Sequence, residues 1–393
     1  MKIIKSPACL TMLLLLLLLF LHACRTIRNL SSTPKPWQGT EHFKSKLPAY
    51  SAAKKNVFII ADAKMTELFD MLAPFYLFNA TGQANVYIIS KDESPILIKR
   101  DLFVQPQLTF TAADSLQLQA DVIIIPALSK RDEQQDTIVI NWIKDHVTSS
   151  TKVLAVCDGA STAAATGLYD GKALTCHASD YAGLKAHFPN PHWVQNINVT
   201  RSGNLFSTAG VSNAVEGSLT LINVLFGKEV MEKVMADIQY PAANIKEEHQ
   251  SIALKFSNKV TVAKKIFFRK NKAIGLVLED GINEFDMASL IEAYSRSLPA
   301  SFSAFNPKGS TIETKYGLML INTGDTAIRN FDELHVLMPE KFSLKNESYF
   351  KGTTIIRYAK VQKEYMINVC LDRIADQYGN SFKNFIKISL DYN

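Results

Sequence analysis

The chain has 393 residues, 47% of them hydrophobic and 20% charged, and at about 150 residues per domain this length suggests two or three domains. The composition excludes a mainly disordered chain, a collagen and a small disulfide scaffold. Lys and Arg total 43 against 37 Asp and Glu, a formal net charge of +6, too dilute over this length to argue for nucleic acid.

The first element is an export signal. Lys2 and Lys5 precede an apolar run from Leu10 to Leu21, with unbroken leucine from Leu13 to Leu19. The run is shorter than the roughly 20 residues of a spanning helix and has the charged start and small-residue end of a secretory signal. Its ending, Leu21-His22-Ala23-Cys24, resembles a lipoprotein box. Residues 1–23 are therefore expected to be a signal peptide and Cys24 the lipidation site. That implies an exported chain in the cell envelope, on the periplasmic or outer-membrane side, held to the membrane by an N-terminal lipid anchor. A plain signal peptide or an uncleaved anchor is the alternative. Residues 24–54 are polar and proline-bearing, and read as a flexible tether. Of five cysteines, Cys9 and Cys24 belong to the leader, leaving Cys157, Cys176 and Cys370. An odd number does not make a disulfide framework.

Residues 55–242 form the first folded unit. The short apolar, β-branched runs at 56–61, 85–90, 121–126 and 152–157 read as strands buried on both faces. Helical patterns at 66–80, 135–147 and 160–168 alternate with them, predicting an α/β sandwich with a mostly parallel sheet. Reactive groups in such sheets gather at the carboxyl ends of the strands. Cys157 stands at such an end, before Asp158-Gly159 and a small-residue helix. A helix N-terminus behind it favours a thiolate. A buried, inert cysteine is the competing reading.

The segment 156–177, VCDGASTAAATGLYDGKALTCH, resembles the nucleophile elbow of the ThiJ/PfpI family within the class I glutamine amidotransferase-like superfamily. Cys157, Gly159, Gly167, Leu168, Gly171 and His177 carry the match. Asp70-Met71-Leu72-Ala73-Pro74 resembles the D-L-x-G-P segment of the isonitrile-hydratase-like and regulator-associated branch, and 205–219 resembles the segment joining the last strand to the last helix. The resemblance implies a flavodoxin-like three-layer sandwich with Cys157 as nucleophile, Asp70 as general acid or base and His177 as its helper. It also implies oxyanion donors from the backbone at Ala127, Leu128 and Asp158. Asp70 as a helix cap and His177 as a strand-end histidine remain open. The match departs from the family at three places. Pro126-Ala127-Leu128 replaces a P-G-G turn, Asp158 brings a carboxylate next to the cysteine, and Ala178 follows the histidine where an aromatic residue or proline is usual.

After a linker at 243–270, with a basic extended stretch at 259–270, residues 271–393 read as a contracted copy of the first unit. Glu284-Phe285-Asp286-Met287 parallels Leu68-Phe69-Asp70-Met71, and 333–342 parallels 120–129 with Pro339 at the place of Pro126. Gly227 and Tyr240 parallel Gly379 and Tyr392, both pairs 152 positions apart. The elbow has no counterpart, so this copy is expected to lack an active centre. The family's dimers imply an intramolecular pseudo-dimer here, or a homodimer. Residues 370–386 faintly resemble a helix-turn-helix, but the same pattern at 219–241 makes them a terminal helix pair, and no nucleic-acid partner is expected. No cofactor fingerprint or metal-ligand spacing occurs. The expected function is cysteine-dependent hydration or hydrolysis of a small electrophilic molecule. The alternative is a ligand-binding or redox-sensing module on the same scaffold.

Overall fold

The computed structural model describes residues 33–129, 136–244, 249–324, 330–342, 350–359 and 362–392. The leader and Cys24 lie outside the described residues. Residues 33–54 contain no helix or strand, yet they are not the loose tether expected. Trp37 meets Phe43 and Phe103 edge-on, with ring centroids 5.5 and 5.3 Å apart. An aromatic side chain beside an apolar sheet face gains more by packing than by staying in water.

Strand and helix alternate through the first unit. It begins with β1 (Lys55–Ile60), α1 (Leu68–Ala80), β2 (Ala84–Ser90), β3 (Ile96–Lys99), β4 (Leu102–Val104) and β5 (Leu108–Thr109). Next come α2 (Phe110–Ser115), β6 (Val122–Ile125), α3 (Thr137–His146), β7 (Lys152–Ala155) and α4 (Gly159–Ala165). It ends with β8 (Ala173–Leu174), α5 (Tyr181–His187), β9 (His192–Trp193), β10 (Val199–Ser202), β11 (Leu205–Thr208), α6 (Ala214–Phe226) and α7 (Lys228–Asp237). The main sheet runs β10-β11-β7-β6-β1-β2-β5, parallel except where β10 meets β11. Its five long-range parallel strands stand in the order β2-β1-β6-β7-β11, the flavodoxin-like arrangement. The strands are apolar on both faces because helices cover both faces. The order reverses between β1 and β6, which opens a crevice beyond their carboxyl ends.

The second unit contains α8 (Phe256–Phe268), β12 (Ala273–Val277), α9 (Glu284–Arg296), β13 (Ser301–Phe305), β14 (Thr311–Glu313) and β15 (Met319–Asn322). β16 (Glu333–Val336), β17 (Thr354–Arg357), α10 (Met366–Tyr378) and α11 (Asn380–Leu390) complete it. Its parallel sheet, β13-β12-β16-β17, repeats the β2-β1-β6-β7 part of the larger one. Individual bonds repeat as well. Asp121 accepts from the Asn56 N–H at 2.9 Å, and Asp332 from the Ala273 N–H at 2.8 Å. The Val156 N–H donates to Ile125 at 2.9 Å, and the Tyr358 N–H to Val336 at 3.1 Å. Gly227 and Gly379 join α6 to α7 and α10 to α11 at φ +88° and +90°. This register corrects one detail of the sequence reading: Leu337, not Pro339, stands at the place of Pro126. Ladder bonds set strand equivalence, and a shared proline two residues away does not. Ala359 takes the position of Cys157.

The linker also differs from expectation. Residues 259–270 are largely helical, within α8. A helix satisfies its own backbone groups, whereas an extended segment would need a sheet edge to pair with. Its anchor is Lys265, whose Nζ donates to Asn271 Oδ1 at 2.8 Å and to the Leu298 carbonyl and lies over the Tyr378 ring.

The two units meet through equivalent elements. α1 packs against α9, with Phe69 and its counterpart Phe285 5.6 Å apart. β4 pairs antiparallel with β15, joining two hairpins into one sheet, β14-β15-β4-β3. This explains why every residue of α1 from Leu68 to Phe78 is buried, since one side faces the parent sheet and the other faces α9.

A buried polar cluster closes the far end. His249 Nε2 lies 2.8 Å from Asp391 Oδ1, and Ser212 Oγ donates to the Asp391 carbonyl at 3.0 Å. Nearby Glu216, only 9% exposed, is pushed up to about 7 by burial, against hydrogen bonds from Tyr240 and Asn213. A carboxyl raised in the folded state contributes stability that is full below the unfolded value near 4.5 and is lost as pH rises through about 7. Glu216→Gln should therefore narrow the stability difference between pH 5 and pH 8 by roughly 2–3 kcal/mol. Urea denaturation at the two pH values reads this; parallel curves for variant and parent would refute it.

Candidate functional site

Three chain segments converge at the crevice: the loop after β1 with the start of α1, the turn after β6, and the turn after β7. Cys157 sits on the last of these at φ +53°, a left-handed conformation that costs a non-glycine residue roughly a kcal/mol or more. The conformation survives because its surroundings hold it. The Cys157 N–H donates to Thr208 Oγ1 at 3.4 Å. Gly159 fits against β6 only because it has no side chain, since a Cβ there would lie 2.9 Å from the carbonyl carbons of Ile125 and Pro126. The C-x-G spacing is thus a steric requirement of the elbow.

Cys157 is 5% exposed. Burial pushes its thiol well above the ordinary range, and the charges of Asp70, Asp158 and Glu67 push the same way. The Asp158 N–H, hydrogen-bonded to the sulfur, acts in the opposite sense. The direction corrects the expectation from the helix N-terminus. α4 does begin behind the cysteine, but removal from water and three nearby carboxyls outweigh it. Asp158 thus has two roles, an N–H that stabilises negative sulfur and a carboxylate that opposes it.

Asp70 is fully buried. Its Oδ2 accepts from the Ala127 N–H at 3.1 Å, and its Oδ1 has no hydrogen-bond partner among the described residues. Burial, then the Glu67 charge, raises its carboxyl well above the usual range. The cap role belongs instead to Glu67, whose Oε2 accepts from the Asp70 N–H at 2.6 Å. Of the expected oxyanion donors, Ala127 is engaged by Asp70, Leu128 lies in a bridge with Thr66, and Asp158 points its N–H at the sulfur. His177 does not hydrogen-bond to Cys157. Its Nδ1 lies 2.7 Å from Ser179 Oγ and accepts from the Ser179 N–H, while its Nε2 is buried without a partner among the described residues. No disulfide joins Cys157, Cys176 and Cys370 to one another.

The sequence reading missed the contribution of the second unit. Glu292 and Arg296, on α9, reach the same cluster. Glu292 hydrogen-bonds to Glu67, lies 3.5 Å from Lys99 and 3.0 Å from Arg296. Despite burial, the two cations hold its carboxyl below the usual range. Burial and the Glu292 charge raise Glu67. Asp70, Glu67 and Glu292 therefore form a chain of carboxyls leading from the thiol to a cationic end, with the two nearer the cysteine raised by burial and the one beside Arg296 held down. In the sequence, Glu292 and Arg296 read only as an i, i+4 helix pair, and nothing local says which unit they face. Among the described residues, no group of three or more His, Cys, Asp or Glu is placed to hold a metal.

The DJ-1/PfpI family profile matches residues 54–223. An isonitrile hydratase of Pseudomonas putida is 26% identical over 175 residues, covering 44% of this chain and 74% of the relative. A Parkinson disease protein 7 homolog of Danio rerio is 24% identical over 191 residues, covering 48% of this chain and 97% of the relative. Among solved structures, Drosophila melanogaster DJ-1beta is similar at 20% identity and a TM-score of 0.41, with 48% of this chain and 99% of that one covered.

Proposed function

Residues 54–223 are a DJ-1/PfpI family domain, and from that premise we propose that Cys157 performs hydration or hydrolysis of a small electrophilic molecule. The observation that carries the reading is Cys157 in its strained elbow with the buried Asp70, whose carboxyl burial raises, acting on its thiol. In the proposed step the sulfur adds to the electrophilic carbon and an S–C bond forms. The electron pair displaced by the attack takes its proton from Asp70, at the nitrogen of a nitrile or at the terminal carbon of an isonitrile. The thiol proton replaces the one Asp70 gave. Water then adds to the thioadduct, and collapse breaks the S–C bond and returns the proton to sulfur. A neutral thiol beside a protonated carboxyl suits this coupled transfer better than a standing thiolate does. Arg296 and the Asp158 N–H are the groups that favour negative charge on sulfur during attack. The similarity to the Pseudomonas putida isonitrile hydratase supports the reaction class.

A second reading, ligand binding without turnover, is favoured by one observation. The Ala127 N–H is already taken by Asp70, which leaves fewer backbone donors for an oxyanion. Redox sensing is less well supported, because oxidation follows thiolate character and burial raises this thiol. We further propose, from the N-terminal sequence, that the chain is exported and lipidated at Cys24.

Mass spectrometry of the chain isolated from membranes, treated with a mild thiol probe, tests these points together. The catalytic reading expects slow labelling of Cys157 at neutral pH, and Cys157→Ser to abolish turnover of a nitrile- or isonitrile-type substrate while the fold is kept. Activity retained in Cys157→Ser would sink it. The same spectrum should show an N-terminus at Cys24 carrying acyl mass; an unmodified or uncleaved terminus refutes lipidation.

A further inference from the structure

α8 half-buries Val262, Ile266 and Phe267 but also carries large apolar side chains on its outer face. A helix on a protein surface shows its apolar stripe to the core and its charges to water. Here the most buried residue is Lys265, 3% exposed, bonded to Asn271 and the Leu298 carbonyl. The outward face carries Phe256, 79% exposed, and Val260, 38% exposed. At about 100° per residue these two lie within roughly 40° of each other, with Ala263 beside them. Phe268, at the end of the helix, is 74% exposed, and Leu254, just before it, 46%. Phe256 and Phe268 are the most exposed large apolar side chains among the described residues.

The flanks of this stripe are cationic. Lys259 lies on one side and Lys264 on the other, with Lys255 and Arg269 at the two ends. From Glu248 to Glu279 the sequence contains no acidic residue between them. Lys270 and Lys272 are paired with Asp332 and Glu333, whereas Lys255, Lys259, Lys264 and Arg269 have no acidic partner among the described residues. Exposed aromatic and aliphatic groups bordered by lysines are the pattern of a helix that lies in the plane of a bilayer surface. Neither feature suits water alone. The apolar stripe seeks acyl chains, and the cations seek anionic headgroups.

We propose that the outer face of α8 docks on an anionic lipid surface. This goes beyond the proposed chemistry at Cys157 and does not depend on it. It does agree with the proposed anchor, because Trp37, packed against Phe103, follows Cys24 by a stretch that extends at most about 45 Å.

The test uses the full chain carrying Phe256→Trp, reconstituted with vesicles, with the parent chain subtracted to remove the three native tryptophans. With phosphatidylglycerol vesicles, the new tryptophan should shift to the blue and be quenched by brominated acyl chains. Phosphatidylcholine vesicles should give neither effect. Lys259→Gln combined with Lys264→Gln should weaken docking roughly 30-fold, the loss of two cations at a charged surface, and abolish the quenching. No quenching in anionic vesicles overturns the proposal, as does equal quenching in both lipids. A blue shift without vesicles also overturns it. If that shift depends on concentration, a second copy covers the face; if it does not, the leader of the same chain does.

Discussion

Alanine at position 159 is expected to cost the fold roughly 3–5 kcal/mol, among the largest effects of any single methyl group added to this chain. The added Cβ would press into the Ile125 carbonyl oxygen and lie 2.9 Å from two further backbone carbons, those of Ile125 and Pro126. All three atoms are main chain, so no rotamer change relieves the clash. Ile125 is also pinned, since it ends β6 at the centre of the sheet and its carbonyl accepts from the Val156 N–H. The strain therefore returns to the elbow, where Cys157 already occupies a left-handed conformation. Gly171 is the control. It has φ +66° and nothing within 4 Å of its would-be Cβ, so Gly171→Ala pays only conformational strain of about 1–2 kcal/mol. Urea denaturation of both variants separates the two mechanisms. Equal losses at the two positions would mean that the contact between Gly159 and Ile125 yields, and the steric account of the elbow fails.

How far the sequence foretells the molecule depends on whether a signal is local. The buried strands are local, and their apolar runs place β1, β2, β6 and β7 within a residue or two of where they lie. The elbow is local too, because Cys157, Gly159 and the small residues of α4 are consecutive. The equivalence of α6-Gly227-α7 with α10-Gly379-α11 needs only a comparison at fixed offset. By contrast, Arg296 and Glu292 act on a site more than a hundred residues away through the packing of α1 on α9, which no window of sequence contains. Trp37 is similar, as its partner Phe103 lies in a hairpin too short to announce itself. α8 misleads for another reason. Its outward apolar residues and inward lysine break the ordinary pattern, so periodicity pointed to no buried face.

The contraction of the second unit acquires a physical sense from the same contacts. Its sheet retains the four strands that support α9, and α9 is the helix that covers α1 and supplies Glu292 and Arg296. What it lacks corresponds to the region of the first unit after β7, which builds the elbow. Thus the retained part serves the interface and the charge pattern around Cys157, and the lost part is the one a second nucleophile would have needed.

Asp70→Asn should move two measurements in opposite directions, which makes it the sharpest test of the site. Asn keeps an oxygen able to accept from the Ala127 N–H, so the turn after β6 survives. It removes a carboxyl whose charge, after burial, is the largest influence raising the Cys157 thiol. The Asp70 carboxyl lies close enough to raise the thiol through its charge, so the thiol proton leaves against that neighbouring carboxylate when Asp70 is ionised. Without the carboxyl, the thiol ionises at lower pH. Labelling of Cys157 at mildly alkaline pH should then accelerate roughly tenfold, one unit of titration shift being a factor of ten in thiolate. Turnover should nonetheless fall by at least about 100-fold, because the group that gives and takes the proton is gone. A purely structural Asp70 predicts neither change beyond a loss of stability. Faster labelling with unchanged turnover would separate the charge effect from catalysis and leave Asp70 without a role as acid or base. A loss of turnover that leaves labelling unchanged would show that the two groups do not share their protons, and the coupled transfer proposed for Cys157 would fall with it.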